Sequence, residues 1–255
     1  MSVTLKTILG VSLIVVAIST LGVLIVLDVL NEQQAQSEVR AYYHAQIDDA
    51  EVQKAHDYNE GLTEGISTIP YADTLNFGNG ALGVISIPKI GIEYTIYHGV
   101  ADSVLNDYVG HMPSSLLPIG DKGVSVLTAH NGIPSKPLFT DLDMLEVGDT
   151  FSVTVNKTPY TYEVFKREVL PVKDVQKYLE RREDAPVVDL MTCYPFGANT
   201  HRLIVSGKFV GTQHEVVQEA SVFKKASFPY YALVLVLVCS TVICFVILIR
   251  RYKHV

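Results

Sequence analysis

The sequence predicts a β domain, closed or sandwiched and antiparallel, held between two membrane-spanning helices. Three observations lead there. Two apolar runs of 20 residues stand near the ends of the 255-residue chain, about the length an α-helix needs to cross hydrocarbon. Between them, short stretches of β-branched and aromatic residues alternate with Gly, Pro, Asn and Asp turns, with no long helical pattern interposed. A Gln-, Glu-, Ala- and Asp-rich segment without Pro or Gly, Asn31 to Glu60, follows the first apolar run.

The first apolar run, Ile8 to Leu27, contains only apolar residues and small Gly, Ser or Thr. A cleaved signal peptide would need a small-x-small site before a polar start; Leu27-Asp28-Val29-Leu30 reads as anchor instead. The second run is Tyr230 to Ile249. Two buried core helices of a soluble protein would pass the same length test, but the flanking charge favours spans. Arg250, Arg251 and Lys253 crowd the end of the second run, whereas Asp28, Glu32 and Glu38 follow the first. Both termini are therefore expected in the cytoplasm, with the middle domain outside. The expected organisation is 1–30 tip and first span, 31–81 outer helix and irregular segment, 82–212 β domain, 213–228 linker, 229–255 second span and basic tail. A net charge of −7 gives no reason to expect a nucleic-acid partner.

Asn31 to Glu60 is expected as a helix running outward, ended by Gly61 and Gly65. Ile66 to Ala81 carries Pro70, Gly78 and Gly80 and reads as irregular. Strands follow at Leu82–Pro88, Ile92–Tyr97, Val124–Thr128, Thr150–Val155, Tyr160–Leu170, Val187–Thr192 and Arg202–Val210. One short helix is expected over Asp174–Arg182, after Pro171.

Cys239 and Cys244 lie inside the second apolar run, which leaves Cys193 as the one cysteine of the outer domain. It cannot close an intramolecular disulfide, so it is a free thiol, an intermolecular bridge or a small buried hydrophobe. Its position discriminates. Asp189-Leu190-Met191-Thr192-Cys193-Tyr194-Pro195 puts it at the end of an apolar strand, just before a turn of Tyr194 to Gly197, where side chains meet solvent. A thiol of pKa about 8.5 needs a neighbouring base or cation to act at neutral pH.

Leu190, Thr192, Cys193 and Arg202 resemble the sortase family, in which the active cysteine follows Leu-x-Thr at a strand end and an arginine follows on the next strand. The run Tyr194-Pro195-Phe196-Gly197-Ala198-Asn199-Thr200-His201-Arg202-Leu203 resembles the pilus-assembly branch, class C, which usually reads Thr-Pro-Tyr-Gly-x-Asn-Thr-His-Arg-Leu; Tyr194 is a departure. A second block, Val126-Leu127-Thr128-Ala129-His130-Asn131-Gly132-Ile133-Pro134 followed by Leu138-Phe139-Thr140-Asp141-Leu142, is similar to that branch's Thr-Gly-His-Arg-Gly-Leu-Pro and Leu-Phe-Thr-Asp-Leu, with Ala129 and Asn131 as departures. Ile85-x-Ile87-Pro88-Lys89-Ile90 and Tyr97-His98-Gly99 extend the likeness, which runs from Leu82 to Val210.

The resemblance implies a closed eight-stranded β-barrel with short helices, from a Gram-positive bacterium. It implies a cysteine transpeptidase that cleaves a Leu-Pro-x-Thr-Gly-like sorting signal of pilin precursors and joins the threonine carbonyl to a pilin lysine. Cys193 would be the nucleophile, His130 the acid and base, and Arg202 the oxyanion or substrate cation, since a guanidinium does not shuttle protons. Thr192 would orient substrate or simply serve the strand. His98, His111 and His201 are expected to be structural. No cofactor or metal is implied; Asp141, Asp143 and Glu146 read as a solvated turn. Class C enzymes often close the site with a lid bearing Asp-Pro-aromatic; Ile69-Pro70-Tyr71-Ala72-Asp73 stands there instead, so Pro70, Tyr71 and Asp73 mark an atypical lid or none. Attachment to a cell-wall precursor, or a non-catalytic assembly scaffold, would be the alternatives.

Overall fold

The computed structural model describes residues 3–45, 48–76, 80–133 and 136–212. The chain divides into two compact units, Met1–Asn31 with Glu219–Val255, and Glu32–Gln218. Helix α1 (Val3–His44) includes a segment, Gly10–His44, with an 18-residue window of mean hydropathy 2.8. By length and composition it fits a membrane anchor and equally a signal sequence. It is the one such helix among the described residues; the second expected span, Tyr230–Ile249, lies outside them.

The single helix expected over Asn31–Glu60 is two helices in the structure. After α1 ends at His44, α2 (Asp49–Glu64) starts with Asp48 as its N-cap, whose carboxylate accepts from the Ala50 N–H at 2.9 Å. Gly65, at φ 74°, closes α2 as a left-handed cap. Gly61 does not end the helix as expected. A Cβ there would lie 2.7 Å from Ser67 Cα, so its bareness lets the returning chain pass close by.

Eight strands follow among the described residues: β1 (Ala81–Ile87), β2 (Ile92–His98), β3 (Val109–His111), β4 (Gly123–Thr128), β5 (Thr150–Val155), β6 (Thr158–Pro171), β7 (Pro186–Tyr194) and β8 (His201–Thr212). They close into a barrel in the order β1-β2-β3-β4-β7-β8-β6-β5. The antiparallel expectation needs correction at two seams, because β2–β3 and β4–β7 are parallel. Both involve crossovers that no local pattern announces, and β3 has only three residues, too few to show alternation. The helix expected at Asp174–Arg182 is α4 (Val172–Leu179), two residues earlier. A one-turn helix, α3 (Asp102–Leu105), lies between β2 and β3.

Period-two alternation gives the wall around β4, β7 and β8 two apolar faces. Leu127 and Ala129 of the β4 segment, Val188 and Leu190 of β7, and Leu203 and Val205 of β8 fill the barrel. Their neighbours Val124, Val126, Val187, Met191 and Ile204 point outward and are covered by Val175, Tyr178 and Leu179 of α4. Each side chain fully buried in this way contributes about 1.5–3 kcal/mol. On the same outer face Asp189, fully buried, takes both forks of Arg181 at 2.7 and 2.8 Å and the Ser206 hydroxyl at 2.6 Å. That pairing fixes the return from α4 into β7.

Helix α2 seats on the barrel through Ala55 and Tyr58. Asn59 exchanges two hydrogen bonds with the Leu117 backbone, at 2.7 and 3.1 Å, and donates to Asp121, which also meets His56 Nδ1 at 2.8 Å.

Candidate active site

Strand registers assemble the site. In the parallel pair β4–β7, Thr128 stands opposite Met191. Two residues further along each chain come His130 and Cys193; Cys193, still in β7, keeps the outward phase of Met191, whereas His130 lies past the end of β4. Across the antiparallel pair β7–β8, Cys193 is registered directly with Arg202, on the face of Ile204. Cys193 and Arg202 thus stand opposite each other, and the loop that carries His130 is tied to the Cys193 carbonyl through its next residue, Asn131.

All three are half-buried, and Cys193 is a free thiol. The Arg202 guanidinium is held from behind, its Nη1 donating to His201 O at 2.9 Å and to Asn199 O at 3.3 Å. Asn199 reaches this position through a left-handed backbone, φ 54°, at the end of the turn that returns β7 into β8. A planar cation anchored by carbonyls keeps its remaining N–H donors free to meet developing negative charge.

The loop carrying His130 is held by the Leu138 to Leu142 block that follows it. Leu138, Phe139 and Leu142 are fully buried. Phe139 N–H donates to His130 O at 3.2 Å, and the Thr140 hydroxyl accepts from Gly132 N–H at 3.0 Å. Lys136 pairs with Asp107 on the neighbouring loop. The apolar block is therefore the foundation on which the histidine loop stands.

Thr192 is only 2% exposed and faces the barrel interior beside Ala129 and Leu203. Its hydroxyl donates to Ala129 O at 2.8 Å, away from the face bearing Cys193. Sequence reasoning missed Asn131, read there only as a departure from a motif. Its Nδ2 donates to Cys193 O at 2.6 Å; no local pattern reveals this, because the partner lies 62 residues away.

Pro70 caps a 3-10 turn at Tyr71–Asp73. Tyr71 stacks on the imidazole of His111, accepts from Gly99 N–H at 3.2 Å and reaches His111 Nδ1 at 2.8 Å. These partners belong to β3 and the β2–β3 connection. Burial pushes the Tyr71 hydroxyl pKa well up, against the pull of the Gly99 N–H. Asp73 O accepts from Lys54. The expected structural histidines have backbone or hydroxyl partners: His98 with Gly80 O, His111 with Leu116 O, His201 with the Thr200 hydroxyl. At the acidic turn, Glu146 and Asp149 share Lys89 at 3.2 and 2.7 Å.

The family profile described as sortase domain matches residues 85–210. Sortase D of Bacillus subtilis (strain 168) is 32% identical over 133 residues, which are 51% of this chain and 64% of that protein, just under two thirds of its length. Sortase C1 from Streptococcus agalactiae superposes with a TM-score of 0.63 at 32% identity, covering 71% of this chain and 100% of that one. Clostridium perfringens sortase C, solved with the C-terminal cell wall sorting motif, gives 0.62 at 32% identity, covering 70% and 98%. Barrel, domain match and these class C neighbours agree, and the chain belongs to the sortase family.

Proposed function

We propose that the chain is a membrane-anchored class C sortase that polymerises pilins, with Cys193 as nucleophile, His130 as acid and base, and Arg202 as the cation for the oxyanion. The observation that supports this is Cys193 opposite Arg202 in the β7–β8 register, with the loop carrying His130 tied to the Cys193 carbonyl through Asn131. The sorting motif present in the Clostridium perfringens sortase C structure supports a substrate of the same class.

In the proposed cycle the Cys193 thiolate attacks the threonine carbonyl of a Leu-Pro-x-Thr-Gly-like signal, forming the C–S bond and an oxyanion that Arg202 meets. Collapse breaks the Thr–Gly bond, and the glycine amine leaves with the proton held by His130. The thioester then accepts a pilin lysine amine whose proton passes to His130, giving an isopeptide bond and the thiolate again. Thr192 acts through the Ala129 carbonyl and not on substrate. Pro70, Tyr71 and Asp73 belong to a segment docked on β3, which leaves Cys193 open to substrate. Two anchors, at the chain's two apolar runs, would hold the site near membrane-retained precursors and raise their effective concentration.

The test uses the full-length chain in detergent micelles with a Leu-Pro-x-Thr-Gly peptide and intact-mass detection. The expected result is an acyl adduct on the wild type, absent from Cys193→Ala and consumed by a pilin-derived lysine donor. Consumption by a cell-wall precursor amine but not by the lysine donor would assign the anchoring reaction instead. If no adduct forms although small reagents alkylate Cys193, the transpeptidase reading is wrong.

A further inference from the structure

The parallel ladder between β4 and β7 stops at Thr128 and Met191, short of the residues assigned to the chemistry. One further backbone bond, Ala129 N–H to Met191 O at 3.3 Å, lies just past it, and side chains then add to it. Thr128 Oγ1 donates to Met191 O at 3.0 Å, Thr192 Oγ1 to Ala129 O at 2.8 Å, and Asn131 Nδ2 to Cys193 O at 2.6 Å. The donors alternate between the two strands. The last two satisfy carbonyls of the kind that a longer ladder would have given a backbone N–H, while Met191 O already accepts from Ala129 N–H. The last bridge runs from the residue next to His130 to the carbonyl of Cys193 itself.

We propose that Asn131 is a positioning residue that fixes His130 beside Cys193 for proton transfer; this rests on the reading of those two residues as acid–base and nucleophile. Proton transfer needs heavy atoms within about 3 Å, or one water apart. The backbone at His130 has already left its strand, and Phe139 and Thr140 bond the loop from the block that follows it. The Asn131 amide supplies the tie toward β7. Being neutral, it secures the Cys193 carbonyl without adding a charge beside the thiol, so that His130 and Arg202 set the local field. The two threonine bridges, one rung earlier, set the approach of the strands; Asn131 sets where the loop stands against the nucleophile.

The experiment measures Cys193 alkylation by iodoacetamide against pH, together with kcat and KM on a sorting-signal peptide, for the full-length chain in micelles. Variants are Asn131→Ala, Asn131→Leu and His130→Ala. A His130→Ala alkylation profile identical to that of the wild type would remove the Cys193–His130 reading, and the proposal with it. Where His130→Ala does shift the profile, Asn131→Ala is expected to shift it in the same direction, with kcat down about 3- to 30-fold and KM within about twofold. A merely structural role would leave the profile in place. Asn131→Leu, similar in size, uncharged and without a donor, should behave likewise and carries the test should the alanine variant not fold. Wild-type profile and kcat in a folded Asn131 variant, while His130→Ala departs, overturn the proposal.

Discussion

Lowering the pH should weaken the fold through His111, and the size of the effect follows from its surroundings. The ring is completely buried, and burial lowers its pKa from 6.5 to about 4. Its Nε2 must carry the proton, because the contact at 2.8 Å is the Leu116 carbonyl, which can only accept. Nδ1 lies 2.8 Å from the Tyr71 hydroxyl, which is also 3.1 Å from His111 O, so the opposition to a charged ring comes from its burial. His98 faces the same pocket and opposes a second positive charge. The sign is fixed by comparing the two states. Above pH 6.5 both leave His111 neutral; as pH falls below 6.5 the unfolded chain takes up a proton that the native protein refuses until about pH 4, so stability drops through that window. A tenfold change in proton affinity is worth about 1.4 kcal/mol, so between pH 7 and pH 5 the loss from this group is about 2 kcal/mol. Urea unfolding at the two values, followed by near-UV circular dichroism of the 14 tyrosines in a chain without tryptophan, measures it. His111→Gln should be less stable at pH 7 but lose about 2 kcal/mol less on acidification. Parallel losses in wild type and variant would refute the reasoning.

Four further outcomes are expected. Arg181→Ala strands the buried Asp189 carboxylate with the Ser206 hydroxyl, and urea titration should show a loss of about 3–5 kcal/mol, much of it recovered by a matched apolar pair at both positions. Arg202→Lys keeps the charge but loses the planar fork held by His201 O and Asn199 O; kcat should fall about 10- to 100-fold while thiol alkylation changes little. Gly132→Ala drives a methyl into the Phe196 ring at φ 78°, so melting should report about 1–2 kcal/mol of strain, with Phe196→Ala returning the steric part. Tyr71→Ala frees the segment docked on His111; Cys193 labelling should stay within about twofold of wild type, and a large acceleration would show that the segment does close the site.

How much of this was legible in the sequence depended on distance along the chain. Cys193 and Arg202 could be paired because one hairpin links them, nine residues apart and in mutual register. The closed barrel was implied by resemblance, whereas strand periodicity alone left closure open. The parallel seams were out of reach. Nothing within Val124–Thr128 or Pro186–Tyr194 tells which neighbour the strand takes or in which direction, since alternation specifies a face and not a partner. The break between α1 and α2 was missed because Gln, Glu and Ala favour helix on both sides, and the Asp48 cap is a single residue in that composition. The sequence leaves Thr192 open between orienting substrate and serving the strand; period two puts residues adjacent in sequence on opposite faces, and it lies inside.

The same alternation explains why Cys193 is usable at all. Along β7 the even positions 188, 190 and 192 are claimed by the barrel, and the odd positions 187, 189 and 191 by the strip beneath α4. A cysteine at any of those positions would be a buried filler. Residue 193 is the first outward position past the cover of α4, and Arg202 is the β8 residue that register sets opposite it. β4 ends at Thr128, and His130 follows two residues later. Sheet period and the limited reach of α4, which ends at Leu179, thus leave Cys193 and Arg202 uncovered on one face, with the His130 loop tied to the Cys193 carbonyl through Asn131. Shifting β7 or β8 by one residue would turn Cys193 or Arg202 into the barrel, and thiol and guanidinium would no longer share a face.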